Sequence, residues 1–374
     1  MSVVSVLEAW PPARLEALYG GVGPAEVDAA LQAEERTLRD LAALLSPAAR
    51  PRMEALACEA QRLTRWHFGR TISLYAPIYI SNICAADCLY CGFAVGSGSR
   101  EARLTLTPGE IHQECQALAA EGFQNILLLT GEAPGAVGVA YIAEAVAIAR
   151  QYFAGVSVEI YALDEADYEQ LFRCGLEGVT LYMETYDRRS YAAVHLRGRK
   201  ADYRYRLDAL DRAGKAGVRR LSMGVLLGLH DWRLDVLWLA LHARHLQKQC
   251  WQSALSISFP RLRHTPQRFT IQHGVSDIDL VQIMLALRLF LPEAGFNLST
   301  REPAVLRDRL IPLGVTSMSA GSSTRPGGYA TTSAGVLEQF EIEDRRNPCE
   351  VVQAIRRVGY DPVWKDFDHA FDRV

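Results

Sequence analysis

Three closely spaced cysteines are the residues with the clearest chemical meaning in this chain. Cys84, Cys88 and Cys91 lie in the segment NICAADCLYCGF with the spacing C-x3-C-x2-C. Cysteine thiolates bind iron–sulfur clusters, and a [4Fe–4S] cubane normally takes four of them. Three cysteines bind three irons and leave the fourth iron open to another ligand. The spacing predicts a [4Fe–4S] cluster that contacts a cofactor and passes an electron to it.

A zinc site and three unliganded thiols are the alternatives for this motif. Structural zinc takes a closed set of four ligands, typically from two short pairs of residues. The first cysteine or histidine after Cys91 is His112, on the next predicted helix. The sequence therefore favours the cluster and leaves both alternatives open.

The other cysteines are scattered singly, as small hydrophobic residues usually are. They are Cys58, Cys115, Cys174, Cys250 and Cys349. The N-terminal sequence lacks the basic segment of a secretory signal. No apolar run approaches the roughly 18 residues that span a bilayer. We expect a cytoplasmic protein without disulfides or a membrane partner.

The overall charge argues against nucleic acid as a substrate. The 374 residues carry a formal net charge of −3, which gives no basic field for a phosphate backbone. This length suits one (β/α) barrel with extensions.

Eight short β-rich runs alternate with amphipathic helices after residue 70. The runs are residues 71–81, 125–132, 156–162, 178–185, 219–228, 255–263, 296–302 and 315–322. This alternation is typical of a parallel sheet closed as an α/β (β/α)8 TIM-type barrel, with an open doubly wound sheet as the alternative. We predict an N-terminal helical segment at 1–70, the barrel at 71–322 and a C-terminal extension at 323–374.

Polar and charged residues stand at the ends of these apolar runs. They are the segment 84–91, Glu132, Glu159, Glu184, Arg261, Arg263, Arg301 and Ser319. Because catalytic groups of such barrels lie at the carboxyl ends of strands, we expect them at one rim. A solvent-facing loop explains any one of them, but it explains the whole ring poorly.

The cysteine motif after the first strand, with Tyr90 before the last cysteine, resembles that of the radical S-adenosylmethionine superfamily. The resemblance implies a [4Fe–4S] cluster on Cys84, Cys88 and Cys91 that reductively cleaves S-adenosylmethionine. It also implies an electron donor such as flavodoxin or ferredoxin.

Longer stretches resemble the tyrosine lyases of bacterial thiazole biosynthesis. They include AQRLTRWHFGRTISLYAPIYISNICAADCLYCGF, LLLTGE, WQSALSISFPRLR, LSTREPAVLRDRLIPLGVTSMSAGSSTRPGGY and PVWKDFD. The resemblance implies cleavage of the Cα–Cβ bond of L-tyrosine to 2-iminoacetate and p-cresol. Methionine and 5′-deoxyadenosine are the implied co-products, and a thiazole synthase is the implied protein partner.

The resemblance also implies roles for individual residues. Tyr90 and Phe93 match positions that contact the adenine, and Glu132, in TGE, matches the acidic residue that binds the methionyl ammonium. Arg206 matches an arginine that binds the cofactor carboxylate, with an exposed helix charge as the alternative. Glu159 and Glu184, at strand ends, are further candidate cofactor-binding residues.

Three more residues are candidates for the amino-acid substrate. Arg301, in STREP, matches the arginine that binds the substrate carboxylate, for which its planar fork is suited. Ser319 and Tyr79 match pocket positions in the same enzymes. Each of the three is alternatively a hydrogen-bonded polar group inside the barrel.

Three other functions compete with tyrosine cleavage. A related maturase, which makes carbon monoxide and cyanide from tyrosine, has three C-terminal cysteines for a second cluster, whereas only Cys349 follows residue 322 here. A tryptophan lyase also has TREP, but PGGY, WQS and PVWKD favour tyrosine. A non-enzymatic iron–sulfur or redox-sensing module does not need Glu132, Arg206 and Arg301.

Overall fold

The fold is described from a computed structural model that covers residues 2–263, 265, 269–330 and 335–365. The helices are Val3–Glu8 (α1), Pro12–Glu16 (α2), Pro24–Gln32 (α3), Leu38–Leu45 (α4), Met53–Phe68 (α5), Pro108–Ala120 (α6), Val139–Ala149 (α7), Glu165–Arg173 (α8), Arg188–Val194 (α9), Tyr203–Leu207 (α10), Ala209–Lys215 (α11), Trp232–Gln249 (α12), Asp277–Phe290 (α13), Ala304–Leu310 (α14) and Pro348–Arg357 (α15). The strands are Thr71–Ser81 (β1), Asn125–Thr130 (β2), Gly155–Glu159 (β3), Gly178–Thr180 (β4), Arg220–Gly224 (β5), Ala254–Ser258 (β6), Gly295–Leu298 (β7), Ser317–Ser319 (β8) and Asp361–Val363 (β9).

Strands β1 to β8 form a closed parallel barrel. Each strand pairs with the next one in the chain, and β1 pairs with both β2 and β8. Ile78 is opposite Leu128 on one side, and Leu74 is opposite Met318 on the other. The predicted (β/α)8 barrel is thus confirmed, and the open sheet is wrong.

The side-chain alternation of β1 shows how a strand divides the core from the site. Ile72, Leu74, Ala76 and Ile78 are fully buried in the main hydrophobic core. The intervening Tyr75, Pro77 and Tyr79 line a cavity inside the barrel. Successive strand residues point to opposite faces. One set of β1 side chains therefore packs in the core outside the barrel, and the alternate set lines the cavity inside it.

Helix α6 begins where its capping residues predict. The Thr107 hydroxyl accepts a hydrogen bond from the amide of Glu110, and the Glu110 carboxylate accepts one from the amide of Thr107 at 2.7 Å. Pro108 occupies the first helical position. This reciprocal cap starts the helix between β1 and β2 and leaves residues 82–107 to form the loop that carries the cysteines.

Two parts of the chain lie outside the alternating barrel pattern. Helices α1 to α5 precede the barrel, and α4 and α5 pack on α13. Strand β9 belongs to the predicted extension, yet it pairs with the start of β1, with Thr71 opposite Asp361. It lies on the edge of β1 opposite β8, beside the start of β1 that β2 leaves unpaired. The boundaries 1–70, 71–322 and 323–374 stay a prediction, and residues 331–334 and 366–374 lie outside the described residues.

A buried ion-pair network ties the C-terminal part of the chain to the barrel. Arg307, on α14, is fully buried and pairs with Asp344. Asp344 also binds Arg346 at 2.7 Å, and Arg346 reaches Asp308 at 2.8 Å. Arg307 donates to the carbonyl oxygen of Ser319 at 2.5 Å. The network therefore holds the end of β8, where a candidate site residue lies.

Replacing Asp344 with alanine is expected to lower the free energy of unfolding by about 3–5 kcal/mol, because it leaves Arg307 as an uncompensated buried charge. Asp308→Ala is the matched control. It removes only the more exposed partner of Arg346 and is expected to cost at most about 1 kcal/mol. Urea denaturation measures both variants, and equal losses of stability contradict this account.

Candidate active site

The cysteine-containing loop lies against the end of β2 at the carboxyl rim of the barrel. The amide of Ala85 donates to the carbonyl oxygen of Glu132 at 2.8 Å. A Cβ atom on Gly131 would stand 2.3 Å from the carbonyl oxygen of Ile83. Only glycine therefore allows the loop to approach this closely, which explains the glycine of the TGE motif.

The three thiols of Cys84, Cys88 and Cys91 line one cavity. Phe93 and Thr130 line it too, and the buried hydroxyl of Thr130 has no hydrogen-bond partner among the described residues. Burial raises the pKa of the Cys88 thiol to about 12 in the protein alone. Three thiols and an unpartnered hydroxyl around one space fit a [4Fe–4S] cluster with a bound cofactor.

Four charged side chains form a network beside these thiols. The Lys200 ammonium donates to Glu184 at 2.6 Å. Arg206 lies 3.7 Å from Glu184 and 3.7 Å from Glu132, and its Nε donates to the carbonyl oxygen of Tyr182 at 2.8 Å. Arg206 is buried, so the alternative of an exposed helix charge is wrong. The network offers both signs of charge to a zwitterionic amino-acid group.

Glu184 has an unusual backbone conformation. Its φ of 69° is the only positive value of a non-glycine residue among the described residues. Such a conformation is costly for a side chain like glutamate and is found mainly where the surrounding structure holds it in place. Here the adjacent amide of Leu226 donates to the Glu184 carbonyl at 2.8 Å, and Lys200 fixes the carboxylate.

A larger cavity adjoins the cysteine cavity inside the barrel. Its volume is about 320 Å³, at the lower end of small-molecule sites, which span roughly 300–1,000 Å³. Seven of the described residues, from distant parts of the chain, line both cavities. They are Cys91, Leu129, Glu159, Tyr182, Glu184, Lys200 and Gln339. The two cavities thus share a wall, and a ligand in one contacts the surroundings of the other.

Arg301 supplies a cation to the larger cavity. Its guanidinium carbon lies 3.6 Å from the centre of the Phe340 ring, and it makes no side-chain hydrogen bond or ion pair within the part of the chain that the structure describes. Burial lowers its pKa, although the group stays charged at neutral pH. A desolvated guanidinium without a protein carboxylate suits the carboxylate of a ligand.

Ser319 and Tyr79 also line this cavity, and both hydroxyls have protein partners. The Ser319 hydroxyl accepts from the amide of Thr300 at 3.1 Å. The Tyr79 hydroxyl donates to the side-chain oxygen of Gln339 at 2.5 Å. Phe93 packs edge-on against the Tyr79 ring with centroids 5.9 Å apart. Both residues are therefore fixed parts of the cavity wall.

Tyr90 is held by a histidine that the sequence did not single out. The hydroxyl of Tyr90 lies 2.8 Å from Nε2 of His195, whose Nδ1 lies 2.8 Å from the carbonyl oxygen of Tyr191. Burial lowers the pKa of His195 to about 2, so the ring is neutral. Its Nδ1–H donates to the carbonyl, and Nε2 accepts from Tyr90.

Glu159 is a second charged group without a partner in the described structure. It stands at the end of β3, on the wall shared by the two cavities, and makes no side-chain hydrogen bond there. Burial, together with the nearby carboxylate of Glu184, raises its pKa from 4.5 to about 7. Above that pH the carboxylate is available for a ligand, and its negative charge destabilises the ligand-free protein.

Glu159→Gln is expected to stabilise the cluster-free protein at pH 8. Because its pKa is raised on folding, the protonated carboxyl is the form that the folded protein favours. Its contribution to the free energy of unfolding is complete below pH 4.5, and it is lost as the pH rises through about 7. The glutamine variant should gain up to about 3 kcal/mol at pH 8 and little at pH 5. Urea denaturation at both pH values measures the free energy of unfolding of wild type and variant. An equal difference between the two proteins at pH 5 and pH 8 contradicts the prediction.

The structure corrects one part of the predicted ring of strand-end charges. Arg261 binds the buried Glu302 at 2.6 Å and Asp277 at 2.6 Å, and Arg263 reaches Glu302 at 3.2 Å. Neither arginine lines the two cavities. Lys200, His195 and Gln339 belong to the site instead. Lys200 lies in the basic run LRGRKADYR, which is more typical of a surface, so no sequence signal marked it.

A closed parallel barrel with three cysteines on the loop after its first strand defines the class of radical S-adenosylmethionine enzymes. Residues 78–237 match the Radical SAM superfamily, and residues 258–361 match the Biotin and Thiamin Synthesis associated domain. The chain is 43% identical to the 2-iminoacetate synthase of Escherichia coli (strain K12), over 98% of this chain and 96% of that protein. It is 42% identical to the 2-iminoacetate synthase of Salmonella typhimurium over the same shares. The chain therefore belongs to the 2-iminoacetate synthase family.

Solved structures agree with this class. The FeFe-hydrogenase maturase HydG from Carboxydothermus hydrogenoformans is 30% identical, with a TM-score of 0.90 over 98% of this chain and 86% of that one. A methylornithine synthase, 22% identical, shares the fold with a TM-score of 0.69.

Membership of the family settles the cofactors and the class of reaction. The protein is a radical S-adenosylmethionine lyase that uses a [4Fe–4S] cluster and S-adenosylmethionine. The zinc and unliganded-thiol alternatives for the cysteine motif are therefore wrong, and so is the non-enzymatic module. No helix in the described part of the chain has both the length and the apolarity needed to cross a membrane.

Proposed function

We propose that this protein cleaves the Cα–Cβ bond of L-tyrosine to 2-iminoacetate and p-cresol. The observation that carries the proposal is the wall shared by the two cavities, one lined by the three cysteines and the other by Arg301, which has no ion-pair partner among the described residues. The name of the relatives with 43% and 42% identity supports 2-iminoacetate as the product. Methionine and 5′-deoxyadenosine are the co-products.

The cysteine cavity is the proposed cofactor site, with Cys84, Cys88 and Cys91 as cluster ligands. When bound, the reduced cluster cleaves S-adenosylmethionine and supplies the radical that abstracts hydrogen from the substrate. Glu132 receives the methionyl ammonium of the cofactor, and Arg206 receives its carboxylate. The 3.7 Å separation of these two side chains supports this pairing, since it leaves both groups within reach of one zwitterion.

Four further residues complete the proposed cofactor site. Phe93 lines the cysteine cavity and forms an apolar surface for the adenine. Tyr90, fixed by His195, lines the larger cavity and contacts the adenine from that side. Glu184 holds Lys200 and Arg206 in place and so acts on the cofactor through them. Glu159 faces both cavities and offers a carboxylate to the ammonium of either amino acid.

The larger cavity is the proposed tyrosine site. Arg301 binds the substrate carboxylate with two parallel hydrogen bonds, while Ser319 and Tyr79 fix the shape of the wall. Phe340, stacked on the guanidinium, excludes water from this pair and strengthens it. Glu159 ends β3 and Arg301 follows β7, and both line the larger cavity, so an amino acid bound there meets groups of opposite charge.

Two protein partners belong to the proposal. An electron carrier such as flavodoxin or ferredoxin reduces the cluster. A thiazole synthase receives the 2-iminoacetate, whose imine hydrolyses readily in water, for the synthesis of thiamine diphosphate.

Product analysis of two competing substrates tests the proposal. The protein is reconstituted anaerobically with iron and sulfide, reduced with dithionite and incubated with S-adenosylmethionine and either tyrosine or tryptophan. We expect p-cresol from tyrosine and no corresponding cleavage of tryptophan, measured by chromatography. Faster cleavage of tryptophan favours the tryptophan-lyase alternative and contradicts the proposal.

A further inference from the structure

We propose that an acidic one-electron carrier protein docks on a basic surface beside Cys88. This surface consists of Val95, Leu196, Arg197 and Arg199. The inference rests on the proposed function, which requires reduction. Conversion of tyrosine and S-adenosylmethionine into the four products consumes two electrons and one proton, so the carrier must deliver an electron twice in each cycle.

The chain segment 194–199 lies directly against the residues on both sides of Cys88. The amide of Leu196 donates to the carbonyl oxygen of Asp87 at 2.9 Å, and the amide of Asp87 donates to the carbonyl oxygen of Arg197 at 3.1 Å. The amide of Leu89 donates to the carbonyl oxygen of Val194 at 3.0 Å. Cys88 itself is buried, with 4% exposure, so this segment separates the thiol from solvent.

Gly198 shows how closely the segment approaches the cysteine-containing loop. Its φ is +90°, and a Cβ atom would stand 2.8 Å from Cα of Ala86. Both observations require glycine. The segment is thus a thin cover over the cluster ligands, and a carrier that touches its outer face lies near the cluster.

Exposed basic and apolar residues lie on this cover and on the adjacent loop, where the amide of Val95 donates to the carbonyl oxygen of Ala86 at 3.0 Å. Leu196 is 55% exposed and Val95 is 47% exposed. Arg197 and Arg199 are exposed, and neither makes a side-chain hydrogen bond or ion pair in the described structure, although Arg199 lies over the Tyr205 ring. The carboxylate of Asp87, in the cysteine-containing loop beneath this segment, is half-buried and accepts from the amide of Gly96 at 3.2 Å.

The charge of this region runs against that of the whole chain. Residues 188–204 contain five arginines and one lysine against one aspartate, whereas the chain has a net charge of −3. Arg188 and Arg204 bind Glu8, and Lys200 binds Glu184. The positive charge at the surface therefore comes mainly from the exposed Arg189, Arg197 and Arg199. A positive patch attracts a negatively charged partner and speeds their encounter. The exposed Leu196, between exposed arginines in the sequence, gives that partner an apolar contact point. These features fit an acidic electron carrier.

Charge reversal at the surface, compared across two reductants, tests the inference. The variant is Arg197→Glu with Arg199→Glu. The matched control is Arg65→Glu with Arg70→Glu, which reverses two exposed arginines near the start of β1, at the opposite end of the barrel. We expect kcat/KM for reduced flavodoxin to fall at least about 10-fold in the variant only. With dithionite, which needs no docking surface, p-cresol formation should stay within about twofold.

Direct reduction of the cluster separates this inference from the proposed function. Bleaching of the cluster absorbance by reduced flavodoxin is followed without substrate, and it should slow in the variant and be restored in Arg197→Lys with Arg199→Lys. Higher ionic strength should slow the wild type more than the variant. Unchanged bleaching overturns the inference, as does an equal loss with dithionite. If the variant is impaired only in the transfer of 2-iminoacetate to thiazole synthase, the surface binds that partner instead, and the inference is overturned.

Discussion

Cys84→Ala is expected to abolish both the cluster and the reductive cleavage of S-adenosylmethionine. Wild type should hold about four irons per chain after anaerobic reconstitution, and the variant should hold less than about one. Two cysteines do not retain a cubane whose remaining irons are open to water. The formation of 5′-deoxyadenosine should fall by at least about 10³-fold, to background.

Cys174→Ala is the matched control for this prediction. Cys174 is half-buried like Cys84, but it lies at the end of α8, away from both cavities. Its replacement should leave iron content and 5′-deoxyadenosine formation unchanged. A Cys84→Ala protein with full iron content, or with normal cleavage of S-adenosylmethionine, contradicts the assignment of this residue as a ligand.

Arg301→Lys is expected to reduce kcat/KM for tyrosine by about 30- to 1000-fold. The change keeps the positive charge and removes the planar fork that binds a carboxylate bidentately. Losing such a pair in a desolvated cavity costs roughly 2–4 kcal/mol, at tenfold per 1.4 kcal/mol. Cleavage of S-adenosylmethionine without substrate should persist, because Arg301 lines the larger cavity and does not line the cysteine cavity.

The measurement is p-cresol and 5′-deoxyadenosine, quantified side by side. Arg263→Lys is the control, since Arg263 lies near the same rim and binds Glu302 and Glu343 instead of lining the larger cavity. If p-cresol formation barely changes in Arg301→Lys, this residue does not bind the substrate carboxylate. If both products vanish together, it serves the cofactor or the fold.

Much of the barrel was predictable because local patterns and the global fold agree. The eight apolar runs are short and separated by amphipathic helices, which is the pattern of parallel strands buried on both faces. The cap formed by Thr107 and Glu110 marked the start of α6. Strand β9 was missed because it has three residues and contains Pro362, which is atypical of a strand.

The site was predictable where residues follow strands and unpredictable where distant loops fold over it. Glu132, Glu159 and Arg301 were found from their positions at strand ends. Lys200 lies in a basic run after α9, and only the tertiary fold shows that it is turned inward to Glu184. Gln339 comes from the C-terminal part of the chain and reaches Tyr79 across 260 positions. Such contacts have no local signature.

Isotope labelling of the substrate tests the central claim most directly. Tyrosine labelled at Cα or at Cβ is incubated anaerobically with the reconstituted enzyme, S-adenosylmethionine and dithionite, and the products are analysed by mass spectrometry. The Cα label should appear in 2-iminoacetate, detected as glyoxylate after hydrolysis, and the Cβ label should appear in the methyl group of p-cresol in equal amount. A Cβ label in the two-carbon product contradicts cleavage of the Cα–Cβ bond. So does 5′-deoxyadenosine formed from S-adenosylmethionine in the presence of tyrosine without p-cresol.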